Sequence, residues 1–240
     1  MDLENKTTFI SGGGKNIGRS IALNLAGSGS NIVLNGATDL DACNKTATDV
    51  EKLGVKTMVL MGNVGSSDEV RTMSEKAINH FGSIDIVINN AAIRPSKPFL
   101  EMTDSDWHNV LDIDLNSAFY TCRAFAGGML EKGWGRIVNI TGMNAIHGYK
   151  GRAPVSAAKH GLWGLTKSLG KEFGASGITT NAISPGPIDT DGDHPQREHI
   201  LSMVPRVPLG RLGKPEEIAA LTGFLCSSGG AFVNGQMINC

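Results

Sequence analysis

Along this chain, short apolar runs alternate with longer stretches in which apolar residues recur every three or four positions. The runs at 7–11, 31–35, 56–61, 84–89, 137–140, 179–184 and 236–239 are rich in β-branched residues and bounded mostly by Gly, Asn or Pro, which predicts buried strands. Helical spacing fills the gaps: from a glycine-rich turn at 12–18 to about residue 28, then about 39–53, 66–81, about 103–132, 153–173, and from Pro215 to about 227. Ser66 with Glu69 forms a capping box, Thr103 with Asp106 caps the long helical region, and Pro215 suits a first helical turn. From Pro185 to about Pro208 the pattern is irregular and contains histidines. Strict strand–helix alternation requires right-handed crossovers. It predicts an α/β fold: a single doubly wound parallel sheet with helices on both faces, in one domain over 1–240.

Residues 135–159 are where chemistry would collect. A buried strand ends at Ile140, a loop crosses its carboxyl edge, and a helix begins near Ala153. In doubly wound sheets that edge is where ligands bind. Lys159 lies one turn into the helix on the face of Val155, and a lysine on an apolar face needs water, a partner or a ligand. The polar candidates around it are Asn144, His147, Tyr149, Lys150 and Arg152.

A second candidate is the cluster Gly12-Gly13-Gly14-Lys15-Asn16-Ile17-Gly18, which follows a strand and opens a helix. Glycines there let backbone approach a pyrophosphate, and the helix amino end supplies free N–H groups. Asn16 occupies the middle glycine position and tolerates a left-handed backbone better than most residues. A purely structural glycine turn is the competing reading.

Composition narrows the classes. Apolar residues make up 40% and charged ones 19%, an ordinary globular balance, and 31 glycines suit tight turns. A formal charge of -1 provides no basic field for nucleic acid. No apolar run approaches a membrane span and the start has no apolar signal core, so neither nucleic acid nor membrane is an expected partner. Cys43, Cys122, Cys226 and Cys240 are scattered without metal-ligand spacing, which predicts reduced thiols, no metal and a cytoplasmic location.

Several stretches together resemble the short-chain dehydrogenase/reductase family. Residues 11–18 are similar to its TGxxxGxG loop, Asn89-Asn90-Ala91-Ala92 to its NNAG, and 135–140 to its fifth strand. Residues 181–190 are similar to NAxxPGxIxT and 208–217 to PLGRxGxPEE, so the resemblance runs from about Lys6 to the last residue, in order. It implies a Rossmann fold and an NAD(P) site. Gly12 and Gly18, with Gly14 and Ile17 between them, would face the pyrophosphate. Asn63 and Val64 would border the adenine, and Asn89 and Ala91 the adenosine. Lys159 would meet the nicotinamide ribose, and Pro185, Gly186, Ile188 and Thr190 the carboxamide. Asn35-Gly36-Ala37 at the end of strand two is neither acid nor base, whereas Lys15 matches the basic position of NADP-preferring relatives, which tilts NAD against NADP toward NADP.

The departures bear on the chemistry. Members use an Asn, a Ser, a Tyr and a Lys: the Tyr moves the alcohol proton, the Ser holds the substrate oxygen, the Lys lowers the Tyr pKa, and the Asn orders a water relay. Here those positions hold Asp114, Gly142, Val155 and Lys159. Val155 has no proton to transfer and Gly142 no donor side chain. Replacement acid–base groups are Asp114, His147 and Tyr149, and Arg94 could meet an anionic substrate. Three readings follow: an NAD(P)-dependent oxidoreductase on a small carbonyl or alcohol with a relocated proton donor, a non-redox lyase, hydrolase or isomerase on the same scaffold, or a cofactor-binding pseudoenzyme. In relatives, helices equivalent to 104–132 and 153–173 pair across a two-fold axis. The small, apolar surface of Ala157, Ala158, Gly161, Leu162, Gly164 and Leu165 predicts a homo-oligomer, a tetramer with two-fold axes.

Overall fold

The computed structural model describes residues 2–190 and 197–240. Seven parallel strands form one sheet in the order β3-β2-β1-β4-β5-β6-β7. They are β1 (Thr7–Ile10), β2 (Asn31–Gly36), β3 (Thr57–Met61), β4 (Ile86–Asn89), β5 (Gly135–Ile140), β6 (Ile178–Ser184) and β7 (Met237–Asn239). The helices are α1 (Asn16–Gly27), α2 (Leu40–Glu51), α3 (Ser67–Phe81), α4 (Asp104–Leu111), α5 (Ser117–Lys132), α6 (Ala153–Phe173), α7 (Arg197–Ser202) and α8 (Pro215–Cys226). The chain winds outward from β1 in both directions, so the crevice lies between the carboxyl ends of β1 and β4.

The strands read as continuous apolar runs because both faces are covered. Ile10, Leu34, Ile88 and Ile140 pack toward α1 and α8, joining Ile21, Leu25 and Ile218. Their neighbours Phe9, Val33, Val87 and Ile137 pack on the other face with Met73, Phe125 and Met129 of α3 and α5. Each residue therefore loses its water to one layer or the other, at roughly 25 cal/mol per Å² of apolar area.

Two elements differ from the sequence reading. The long helical region expected at about 103–132 is interrupted by a π-turn, Asp112–Asn116, between α4 and α5. The extra residue rotates Asp114 inward, to 2% exposure. The irregular segment expected after Pro185 includes the short helix α7, while residues 191–196 lie outside the described residues. No helix among the described residues is long and apolar enough to cross a membrane, and no His, Cys, Asp or Glu group among them could hold a metal ion.

Candidate active site

The loop after β1 is shaped by close approach. A Cβ at Gly18 would stand 2.1 Å from the Gly12 carbonyl oxygen, so only glycine lets α1 start beneath the loop. Gly12 has φ +63° and Asn16 φ +48°, the left-handed backbone that asparagine accepts. Lys15 at the N-cap places no side chain on the first amides of α1, which leaves them for an anion. Ser11 Oγ accepts the amide N–H groups of Asn90 (2.9 Å) and Ala91 (3.0 Å), tying the ends of β1 and β4 together. Asn90 Nδ2 donates to the Ser11 and Gly12 carbonyls at 3.0 and 3.1 Å. This cradle fits a dinucleotide pyrophosphate.

Not every residue expected around adenosine opens to it. Asn89 faces the core: its Nδ2 donates to Asn139 Oδ1 at 2.8 Å, and its Oδ1 accepts from Thr121 at 2.6 Å. Asn90, one residue later, is the group on the crevice side. Asn35 donates to the Leu60 and Gly62 carbonyls (3.2 and 3.0 Å), holding the β2–β3 edge, while its own carbonyl accepts Gly13 N–H at 2.9 Å. Asn63 is exposed with its Oδ1 accepting Gly65 N–H at 2.9 Å, and Val64 is buried. Gly14 packs on Cys43, and a Cβ there would lie 2.9 Å from its Sγ. Lys15 forms an ion pair with Asp39, whose carboxyl is held below its ordinary value by the Lys15 hydrogen bond and the Ala42 amide.

Beneath the crevice the π-turn presents Asp114 to Lys159. Asp114 Oδ2 lies 3.5 Å from Lys159 Nζ, and Ile93 N–H donates to Asp114 Oδ1 at 2.8 Å. Lys159 is 1% exposed, and its ammonium donates to the Ile140 carbonyl at 3.1 Å. Burial pushes the Lys159 pKa down, the Asp114 charge pulls it back up, and Arg94 adds to the push. Lys159, expected to border the nicotinamide ribose, turns its ammonium to the Asp114 carboxylate and the Ile140 carbonyl. Gly142 lies at φ +106°, ψ 175°, a backbone that disfavours any residue with a side chain. Val155 is fully buried, one turn before Lys159.

The open cleft runs past these groups. One wall is Ile17 of the glycine loop with Pro185, Gly186, Ile188 and Thr190 of the segment expected at the carboxamide. The opposite wall carries Arg94, Gly142, Asn144, Tyr149 and Arg152. Asn144 is 9% exposed and its buried Oδ1 has no hydrogen-bond partner, so its carboxamide is uncommitted at the edge of the cleft. Tyr149 also lines an adjoining cavity of about 790 Å³, together with His147, Ser184, Arg206 and Cys240. His147 is exposed and reaches only that outer cavity, so the cleft gathers Tyr149 but not His147. Arg94 is exposed by area yet crowded by protein: burial pushes its pKa down, Asp114 pulls it up, and Arg152 pushes it down again. That combination marks a side chain standing inside an open cleft. Ser11 and Asn90 escaped the sequence reading, and only the one-residue offset within Asn89-Asn90 could have signalled Asn90.

A family model described as Enoyl-(Acyl carrier protein) reductase matches residues 12–240. The 3-oxoacyl-acyl-carrier-protein reductase FabG of Pseudomonas aeruginosa is 38% identical over 242 residues, covering 99% of this chain and 96% of the relative. FabG of Aquifex aeolicus is 35% identical, covering 100% and 97%. Among solved structures, acetoin dehydrogenase YohF from Salmonella typhimurium superposes with a TM-score of 0.90 at 29% identity, covering 98% of this chain and 93% of that one. A dehydrogenase/reductase from Sinorhizobium meliloti 1021 gives 0.91 at 30% identity, covering 99% and 94%.

Proposed function

The chain belongs to the short-chain dehydrogenase/reductase family of oxidoreductases, and from that premise we propose that it is an NAD(P)-dependent oxidoreductase of a small carbonyl or alcohol, with the proton donor moved from position 155 to Tyr149. The carrying observation is the cleft itself: Ile17 and the 185–190 segment on one side, uncommitted Asn144 and Tyr149 on the other. The relatives' named activity, reduction of a 3-oxoacyl carrier-protein thioester, falls within this reading.

A bound nicotinamide dinucleotide supplies or takes the hydride. The chain's own residues do the rest. The glycine loop and the first amides of α1 would hold the pyrophosphate, while Pro185, Gly186, Ile188 and Thr190 would position the carboxamide. In the reducing direction, the Asn144 carboxamide donates a hydrogen bond to the substrate oxygen as charge develops there. The Tyr149 hydroxyl gives its proton to that oxygen, and water from the adjoining cavity restores it. Asp114 and Lys159 form the buried floor and hold Ile93 and Ile140 in place. Lys15 favours the 2′-phosphate of NADP, and Asp39 opposes it.

We also propose a cytoplasmic homotetramer. Its support is the half-exposed face of α5 and α6, where Phe119, Leu165, Leu169 and Phe173 line a groove of about 360 Å³. Sedimentation at micromolar concentration tests this assembly, and a 25.3 kDa monomer refutes it. The function is tested by following NADPH and NADH oxidation with a panel of ketones, dicarbonyls and 3-oxo esters. Turnover that drops in Tyr149→Phe sustains the reading. Binding without turnover on any carbonyl or alcohol overturns it in favour of a cofactor-binding protein, and no binding at millimolar cofactor overturns both.

A further inference from the structure

Resting on the oxidoreductase reading, we propose that this cleft selects an anionic substrate: a small ketone or secondary alcohol whose carboxylate or phosphate is held between Arg94 and Arg152. Both side chains line the cleft alongside Asn144 and Tyr149. Each leaves a fixed anchor. Arg94 follows Ile93, whose N–H is tied to Asp114 at 2.8 Å, and Arg152 is the N-cap of α6, its N–H bonded to the Tyr149 carbonyl at 3.1 Å. Their guanidinium groups therefore project from rigid backbone into the same space.

Neither guanidinium has an ion-pair or hydrogen-bond partner among the described residues. This is unusual for arginines near one another in a crowded site. Lys15, Arg19, Arg71, Arg197 and Arg211 all have carboxylate partners. Arg94 and Arg152 instead repel each other, and protein crowds Arg94. The carboxylate that acts on Arg94, Asp114, is buried and engaged with Lys159 and Ile93. No Asp or Glu lines the cleft or the adjoining cavity among the described residues, and Arg206 adds a further cation to the latter. The chain's net charge is -1, so this positive field is local to the cleft. Two like charges held together without a counter-ion among the described residues are stabilised by a bound anion. A guanidinium fork matches the geometry of both carboxylate and phosphate, at roughly 1.5–3 kcal/mol per charged hydrogen bond, about 10- to 10²-fold in affinity.

Calorimetry and thermal-shift titration with malonate and with inorganic phosphate, each with and without saturating NADPH or NADH, test the site. The two anions separate a carboxylate from a phosphate preference. Saturable binding is expected, weakened about tenfold or more by Arg94→Gln and by Arg152→Gln. Arg94→Lys should lose less, and Arg71→Gln on the α3 surface should lose nothing. In turnover, a 2- or 3-oxo acid should exceed its methyl ester by about 10²-fold in kcat/KM, with the advantage lost through KM in the Gln variants. Anion binding that is equal in wild type and both Gln variants overturns the proposal. Ester turnover equal to acid turnover, unchanged in the Gln variants, also overturns it while leaving the oxidoreductase reading intact. Arginine-dependent anion binding with no turnover of either compound sustains the anion site and overturns the oxidoreductase reading instead.

Discussion

Asp114 Oδ2 stands 3.5 Å from Lys159 Nζ, and both side chains are buried, at 0% and 1% exposure. The two groups make a buried ion pair beneath the cleft. Because burial depresses the Lys159 pKa below its ordinary 10.5, the unfolded chain binds the proton more readily. Stability therefore rises with pH through the window just below 10.5. Removing Asp114 removes the attraction that limits this depression. Asp114→Asn is expected to cost about 3–5 kcal/mol at neutral pH, measured by urea unfolding, and to extend the pH window downward. Adding Lys159→Met should recover part of that loss. Additive costs in the double variant would show that the two groups do not interact.

Gly142 makes position 142 more than a missing hydroxyl. At φ +106° a side chain is strained although a Cβ there meets nothing nearer than the Pro185 oxygen at 4.0 Å. Gly142→Ser should therefore cost about 1–3 kcal/mol without creating a clash. Val155 is fully buried, so a phenol there must displace its neighbours, yet one turn before Lys159 it would feel the ammonium. Val155→Tyr alone is expected to raise turnover of activated ketones, read as NADPH oxidation. A variant that folds and binds cofactor yet gains nothing would show that residue 155 does not limit the reaction.

Asn144 and Tyr149 carry the proposed chemistry between them. Asn144→Ala and Tyr149→Phe should each lower kcat by about 10²-fold with cofactor affinity unchanged. His147→Ala should have little effect, because His147 borders only the outer cavity. A large loss on changing His147 with none at Tyr149 would reverse the assignment of the donor.

The fold was legible because strand runs and helical spacing alternate along most of the chain, and both-face burial makes the strands mainly apolar. The glycine loop was legible for a similar reason: the left-handed backbone of Gly12 and the approach of Gly18 to the Gly12 carbonyl are both set within a few residues. What escaped depended on geometry between distant segments. A periodic pattern over 103–132 cannot reveal a π-turn, yet that turn aims Asp114 at Lys159. Nor can a strand's end reveal whether Asn89 or Asn90 faces the crevice, because one residue of twist decides it. Arg152 looked like one loop cation among several; only the shared cleft pairs it with Arg94.

In the proposed cofactor site, preference between NAD and NADP would turn on Lys15 and Asp39. Lys15 is the cation available to a ribose 2′-phosphate, but it is paired with Asp39, which also caps α2 by accepting Ala42 N–H at 2.9 Å. A phosphate arriving there meets a lysine already neutralised and a carboxylate that repels it. Both side chains are exposed, at 64% and 47%, so salt screens the pair and water can replace either partner. Asp39→Asn keeps an N-cap acceptor while removing the negative charge. It should tighten NADPH by about tenfold at low salt and leave NADH nearly unchanged. Lys15→Gln should weaken NADPH by a similar factor and narrow the difference between the two cofactors. Fluorescence titration of both nucleotides at two ionic strengths reads this directly, because the Asp39→Asn gain must shrink as salt rises. Equal changes for NADH and NADPH would mean that the pair supports α2 and takes no part in choosing the cofactor.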